Sequence, residues 1–308
     1  MNNNFEKIAG LPKKRQKDDE FFATRHSIAE YKLDQGIIES DNPEAKPRAR
    51  DQRFNSDLTP EGIKLAQEKA QEFFSKFNPE KDALFFVSSD LVRAVETARI
   101  YLDIARAMGF EIISPKGNKE EKKEDSPKPK NKAEEISAGE IRKVDCLTLD
   151  HLENMLLESV YMPQDRLADI KDLNIVSAET REKWAAARKI IEADNKGAWG
   201  DNYFAHSEEI KKIFPNVKSA SEVYESKFKD MMRLVKFGQE KINEQNPEKN
   251  IKVLAFSHEN SFIYFLNKNF GESIKNCESI AFKVEDSETA GESKILAAAK
   301  GQNKEVKI

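Results

Sequence analysis

Short, nearly continuous apolar runs alternate along the chain with longer stretches whose apolar residues recur at helical spacing. Glu20-Phe21-Phe22-Ala23-Thr24-Arg25-His26, Ala83-Leu84-Phe85-Phe86-Val87 and Ile251-Lys252-Val253-Leu254-Ala255-Phe256-Ser257 are such runs. Their length and composition predict buried strands rather than helices. Between the first two, Thr59-Pro60-Glu61-Gly62 has the order of a helix start: a threonine N-cap, proline in the first turn, then an acid. Ile63, Ala66, Ala70, Phe73 and Phe77 then share one face and form core packing, and Asn78-Pro79 ends the pattern. Ser88-Ser89-Asp90 is placed to cap a helix over about 90–108, closed by Gly109, and Phe110-Glu111-Ile112-Ile113 gives a further short strand. The order β-α-β-α-β predicts a parallel sheet with crossover helices.

The second half repeats these signals more weakly. A strand is predicted over 144–149, a helix or turn over 150–160, and helices over 178–194 and 219–245. In the last of these Val223, Phe228, Met231, Leu234 and Val235 are the apolar positions. A helix over about 260–268 follows the strand at 251–257, and 279–284 with 294–298 are expected to pair as an edge hairpin. No internal repeat is visible. The whole of 1–308 is expected to form a single domain, with residues 1–19 as a loosely held arm. Between 114 and 138 the composition turns to Lys, Glu, Pro, Asn and Ser, so this stretch is expected to be a flexible insertion.

Charge narrows the classes of partner. A formal net charge of −4, with glutamates interleaved among the lysines of the insertion, argues against a nucleic-acid binder. No apolar stretch approaches the length of a membrane span, and residues 1–7 lack the apolar centre of a secretory signal. Cys146 and Cys277 are too few for a disulfide framework and too sparse for a zinc site. A cytoplasmic protein is expected.

Chemistry enters at the carboxyl ends of the strands, where ligands of open α/β sheets gather. Residues 20–26 deliver Arg25 and His26; 83–87 lead to Ser88, Ser89 and, a turn later, Arg93; 251–257 lead to His258 and Glu259. If these strands are neighbours, two guanidinium groups, two imidazoles and a helix start converge on one pocket. Such a pocket suits a tetrahedral dianion, because the planar arginine fork matches phosphate oxygens and a helix start adds N–H donors. A neutral imidazole in that cage is a nucleophile at physiological pH. A carboxylic acid is then needed to protonate the leaving alkoxide and to activate water.

These segments resemble the histidine phosphatase superfamily, the phosphoglycerate mutase-like proteins. Ala23-Thr24-Arg25-His26-Ser27 is similar to its Arg-His-Gly motif, with serine in place of glycine, and Leu58-Thr59-Pro60-Glu61-Gly62 to its Leu-Thr-x-x-Gly helix start. Ser88-Ser89-Asp90-Leu91-Val92-Arg93-Ala94-Val95-Glu96-Thr97-Ala98 is similar to its Ser-Ser…Arg-Ala…Thr-Ala segment, and Ala255-Phe256-Ser257-His258 to its second-histidine motif. The resemblance covers 20–110 and 250–270, and little of 111–250. It implies a three-layer α/β/α sandwich with a mainly parallel central sheet, and an irregular or helical cap built from 27–57 and 114–250. It also implies a phosphatase acting on small phosphate monoesters or a phosphoprotein, with His26 as nucleophile and Arg25, Arg93 and His258 binding the phosphoryl group. No metal or cofactor is implied. Lys32 stands where many members carry asparagine. The acid is Glu153 in the arrangement of one branch, with Glu158 in reserve, or Glu259, directly after the second histidine, in the arrangement of another.

Plainer readings exist for each residue. Arg25 and Arg93 taken singly suit surface ion pairs, His258 a satisfied core histidine, Glu259 and the serines 88–89 helix caps. A phosphomutase, or a non-catalytic member that binds a phosphorylated ligand, would use the same four cationic and imidazole groups. The lengthy insertions match no mutase pattern, and the intact set of Arg25, His26, Arg93 and His258 counts against a non-catalytic member, so the phosphatase is the favoured reading.

Overall fold

A computed structural model describes residues 20–30, 56–114, 132–144, 178–193, 205–213, 248–258, 262–271, 273–286 and 293–306, with isolated positions at 215, 222, 228, 232 and 242. In chain order the elements are β1 (Glu20–Arg25), α1 (Pro60–Phe74), β2 (Asp82–Ser88), α2 (Val92–Ala107), β3 (Glu111–Ile112), α3 (Lys132–Ser137) and β4 (Arg142–Lys143). They continue as α4 (Ala178–Ala193), α5 (Ser207–Ile213), β5 (Asn250–Ser257), α6 (Ile263–Phe270), β6 (Ser279–Asp286), β7 (Ser293–Ala299) and β8 (Gln302–Val306).

The strands form one mixed sheet in the order β3-β2-β5-β1-β6-β7-β8, with β4 also on β2. β2, β5 and β1 are parallel, and the last of them in sequence lies between the other two. Arg25 stands opposite Ser257, and Ser88 opposite Phe256, so the carboxyl ends of all three strands are level. β5 is buried along almost its whole length, as a strand covered on both faces must be.

Period-2 alternation divides the core in two. Phe21, Ala23, Phe85, Val253 and Ala255 face one way and pack with Phe265, Leu266 and Phe270 of α6 and with Phe228. Leu84, Phe86, Leu254 and Phe256 face the other way, onto Ala66, Ala70 and Phe74 of α1 and Val95, Ala98, Tyr101 and Leu102 of α2. Helices therefore cover both faces of the sheet, which makes the described part an α/β/α sandwich. Lys252 is the exception within the apolar run: fully buried, it pairs with Glu20 at 2.7 Å, its partner across the β1–β5 ladder, and lies over the Phe77 ring.

Several expectations change. α1 ends at Phe74 rather than at Asn78, and its buried face is Gly62, Ala66, Ala70 and Phe74. Ile63, expected in the core, is 41% exposed, because Gly62 is the first-turn residue pressed against the chain. A Cβ at Gly62 would come within 2.1 Å of Ile28 O. α2 begins at Val92 with Leu91 as its N-cap and no side-chain cap, so Ser88 and Ser89 do not cap it. The end of the supposed flexible insertion is ordered: α3 buries Ala133 and Ser137, and Arg99 of α2 donates to Ile136 O and Ser137 O. The short stretch still finds apolar positions at the right spacing to rest on α2. β4 occupies 142–143, whereas 145–149 of the expected strand lie outside the described residues, and α6 starts at Ile263, later than expected. The hairpin of β6 and β7 exists, yet it is not the edge, since β6 pairs with β1 and the polar β8 lies outermost. Of the helix expected over 219–245, positions 222, 228, 232 and 242 are helical, with Phe228 and Met232 buried. Residues 1–19, 115–131 and 145–177 lie outside the described residues.

Gly62→Ala is expected to lower stability by about 1–3 kcal/mol, the range for forcing an extra carbon into a packed contact. Urea unfolding of the two proteins measures it; an unchanged midpoint would show that the start of α1 and residue 28 can move apart.

Candidate active site

The aligned ends of β1, β2 and β5 bring three of the sequence-predicted groups, His26, Arg93 and His258, to one place. Beyond the last strand residues the ladder continues in the backbone, with His26 N donating to Ser257 O at 2.8 Å and Ser89 N to Phe256 O at 3.0 Å. The His26 and His258 rings are therefore neighbours, with centroids 5.1 Å apart. Arg93, in the first turn of α2, donates from Nε to His26 Nε2 at 3.2 Å. His26, Arg93 and His258 are all buried.

The local bonding sets the state of the His26 ring. Its Nδ1 lies 2.6 Å from Ser27 O. A carbonyl only accepts, so Nδ1 carries the proton; a guanidinium N–H only donates, so Nε2, which faces Arg93 Nε, carries the lone pair. Arg93 Nε–H points at that lone pair. Ser27, which replaces the expected glycine, is itself held twice: its amide donates to Thr97 Oγ1 at 3.0 Å and its hydroxyl to Gly62 O at 2.7 Å. Thr97 in turn donates to Arg93 O at 2.7 Å. On the other ring, His258 Nε2 is 2.9 Å from Ser89 Oγ. The second serine of the motif thus serves the histidine, while its Oγ also accepts from Leu91 N, ahead of α2, at a longer 3.4 Å.

Arg25 precedes the nucleophile candidate and is held from a different direction. Its Nη1 donates to Ile274 O at 2.7 Å, its amide to Glu278 O at 3.1 Å, and its carbonyl accepts from Cys277 N at 3.0 Å. Asn276 Nδ2 donates to His26 O at 2.7 Å. The turn before β6 thus clamps the end of β1, and Cys277 adopts a positive φ of 60° within it. Burial pushes the Cys277 thiol up to about 11, against the pull of Ser27 and Tyr101. That is the condition of a packing thiol rather than a reactive one.

Glu153, Glu158, Glu259 and Lys32 lie outside the described residues. Sequence reasoning did not assign roles to Ser27, Ser89, Thr97 or Asn276 as partners of the two imidazole segments. Thr97 and Ser89 stood inside a motif already noted, whereas Asn276 is 250 residues from His26 and carries no local signal. Among the described residues no group of three or more His, Cys, Asp or Glu is placed to hold a metal ion, and no helix is long and apolar enough to cross a membrane.

One carboxylate beside this loop is perturbed. Glu96 of α2 accepts the Leu58 amide at 2.7 Å. Burial, with Asp57 and Glu30 nearby, holds it above the usual carboxylate range, against the opposing pull of Leu58 N–H and Lys132. A raised carboxyl favours the protonated native state, so ionising Glu96 costs stability above its folded pKa, and that cost is absent below the ordinary carboxylate value. Glu96→Gln keeps an acceptor for Leu58 and removes the charge. It is expected to unfold at a slightly higher urea concentration than the native chain at neutral pH, the two midpoints converging as the solution is acidified. A gap that widens on acidification would reverse the sign of this argument.

No family model matches the chain, and no curated protein does. Solved structures do align with it. A phosphoglycerate mutase from Bacillus anthracis str. Sterne is 13% identical, with 94% of this chain and 92% of that chain covered at a TM-score of 0.38. A mycobacterial glucosyl-3-phosphoglycerate phosphatase is 15% identical, covering 87% and 92% at 0.37. A multiple inositol polyphosphate phosphatase from Bifidobacterium longum, in complex with inositol hexasulfate, is 10% identical, covering 95% and 88% at 0.43. The three are one mutase and two phosphatases.

Proposed function

We propose that this chain is a phosphatase that hydrolyses small phosphate monoesters through a phosphohistidine on His26, without a metal and in a cytoplasmic setting. The observation that carries the reading is the joint geometry of the two imidazoles and Arg93. A ring whose Nδ1–H is tied to Ser27 O keeps its Nε2 lone pair for attack, and a guanidinium stands 3.2 Å from that nitrogen. In the reaction His26 Nε2 forms a bond to phosphorus while the ester P–O bond breaks. The leaving alkoxide takes a proton from a carboxylic acid, Glu153 in the preferred assignment or Glu259 in the alternative. The resulting carboxylate then takes a proton from water, whose oxygen attacks phosphorus as the N–P bond opens. Arg25, Arg93 and His258 hold the phosphoryl oxygens as charge spreads over them, which is where most of the rate gain arises.

The test is hydrolysis of p-nitrophenyl phosphate in EDTA by the full chain, with the intermediate trapped by acid-free quenching. A phosphoryl label that is lost in acid and kept in base marks phosphohistidine. Glu153→Gln and Glu259→Gln, assayed separately, assign the acid by which of them slows an ester with a poor leaving group. Turnover that depends on added divalent metal, or no label on histidine, would sink the reading.

A further inference from the structure

We propose that Glu96 is a positioning residue of this site, one that sets the His26 ring through the backbone of residues 57–59 and never touches substrate. The inference rests on the phosphatase reading above for its kinetic consequence, but its structural content is independent of it.

Two contacts on the ring favour the His26 tautomer, Ser27 O at Nδ1 and Arg93 Nε–H at Nε2, and the first of them is carried by the loop of residues 27–30. Where that oxygen points is set by what holds the peptides from 27 to 30. Thr59 N donates to Ile28 O at 3.1 Å, Ala29 and Leu58 form an antiparallel bridge, and Glu30 N donates to Asp57 O at 3.0 Å. Residues 57–59 are thus a splint along the loop that carries the acceptor. The splint has its own attachment to the rest of the fold. Leu58 is buried, its amide lies outside the ladder of α1, and Glu96 Oε2 accepts it. Residues 93, 96 and 97 share one face of α2 at helical spacing. From that face Arg93 reaches the imidazole, Thr97 the Ser27 amide and Glu96 the splint. A single helix therefore registers nucleophile, acceptor peptide and splint against one another. Arg93 and Thr97 act on the ring and its neighbour directly; Glu96 acts at one remove. Removing its carboxyl leaves a buried amide without its acceptor, and the splint can answer only by moving toward water or another oxygen.

The experiment uses the full chain with 15N-labelled histidine, whose four histidines keep the spectrum simple. Long-range H–N correlations read the His26 tautomer, assigned by comparison with His26→Asn, and p-nitrophenyl phosphate turnover is measured in parallel. Glu96→Gln, which still accepts a hydrogen bond, is expected to keep the Nδ1–H signature and to stay within about twofold of native kcat. Glu96→Ala is expected to lose the single-tautomer signature and to lower kcat about tenfold while KM changes less than about threefold, the mark of misplacement rather than lost binding. Should the alanine variant not fold, Glu96→Asp, with the same charge and a shorter reach, is expected to reproduce its effects. A native signature and native kcat in the folded alanine variant, or in the aspartate variant where alanine does not fold, overturn the inference, as does a glutamine variant as impaired as alanine. A native chain without any turnover overturns the phosphatase reading alone, since the imidazole signature still reports what Glu96 does.

Discussion

Replacing His26 by alanine is expected to reduce p-nitrophenyl phosphate turnover by about a thousandfold or more, because the covalent route has no second nucleophile at that position. The variant should fold. His26 is buried at the end of β1, but the bonds that place that segment run through its backbone, to Ser257 O from its amide and from Asn276 to its carbonyl. An alanine keeps both. The expected result is therefore a protein with a near-native unfolding midpoint, no label on histidine after quenching, and retained affinity for vanadate through the remaining cationic groups. Turnover within about tenfold of native would eliminate the phosphohistidine route, since transition-state binding without a nucleophile supplies only a residual rate.

The second large effect is expected at Arg93. An arginine offers five N–H donors in a planar fork, and one of them already lies on His26 Nε2. In the reaction proposed above, the same side chain orients the nucleophile and meets the oxygens of the phosphoryl group. Losing it removes charge stabilisation that grows toward the transition state, so Arg93→Ala should lower kcat/KM by about a hundred- to a thousandfold. Arg93→Lys should recover little of this, because a flexible ammonium cannot hold the ring nitrogen and bridge two oxygens together. Parallel measurements of vanadate affinity separate binding from chemistry. A lysine variant with native kcat would reduce Arg93 to a point charge.

Much of this site was legible one residue at a time. Strands β1, β2 and β5 were readable because they are short, apolar and buried on both faces, which leaves no helical period to confuse them. The Thr59 cap was readable because its chemistry is local, and the structure bears it out: Thr59 Oγ1 accepts from Gly62 N at 2.9 Å. The serines at 88–89 misled for the same reason. They have the composition of a cap, and a local reading assigns them to the nearest helix, whereas the shorter bond of Ser89 goes to a histidine 169 residues away and only a longer one, 3.4 Å, to Leu91 N. α3 and β8 were missed because each is polar and short. α3 holds to α2 through Arg99, an arginine donating to its end carbonyls, and β8 presents an outer edge of Gln, Asn, Lys and Glu that carries no apolar alternation. Ile63 was placed in the core by its period alone, while the observed face of α1 is set by the one residue small enough to meet Ile28 O, Gly62.

Periodicity, capping residues and the order of four short motifs were enough to declare strands, two crossover helices and the groups that could handle a phosphoryl ester, because each of those signals depends on interactions within a few residues. Insertion of the late strand β5 between β1 and β2 is a different kind of fact. It brings His258 to within 5.1 Å of His26 between ring centroids, and it follows from side-chain packing on two sheet faces that no local segment encodes. The tautomer of His26, the partner of His258 and the clamp from Asn276 belong with it, since hydrogen bonds between distant segments exist only once the backbone has been closed around them.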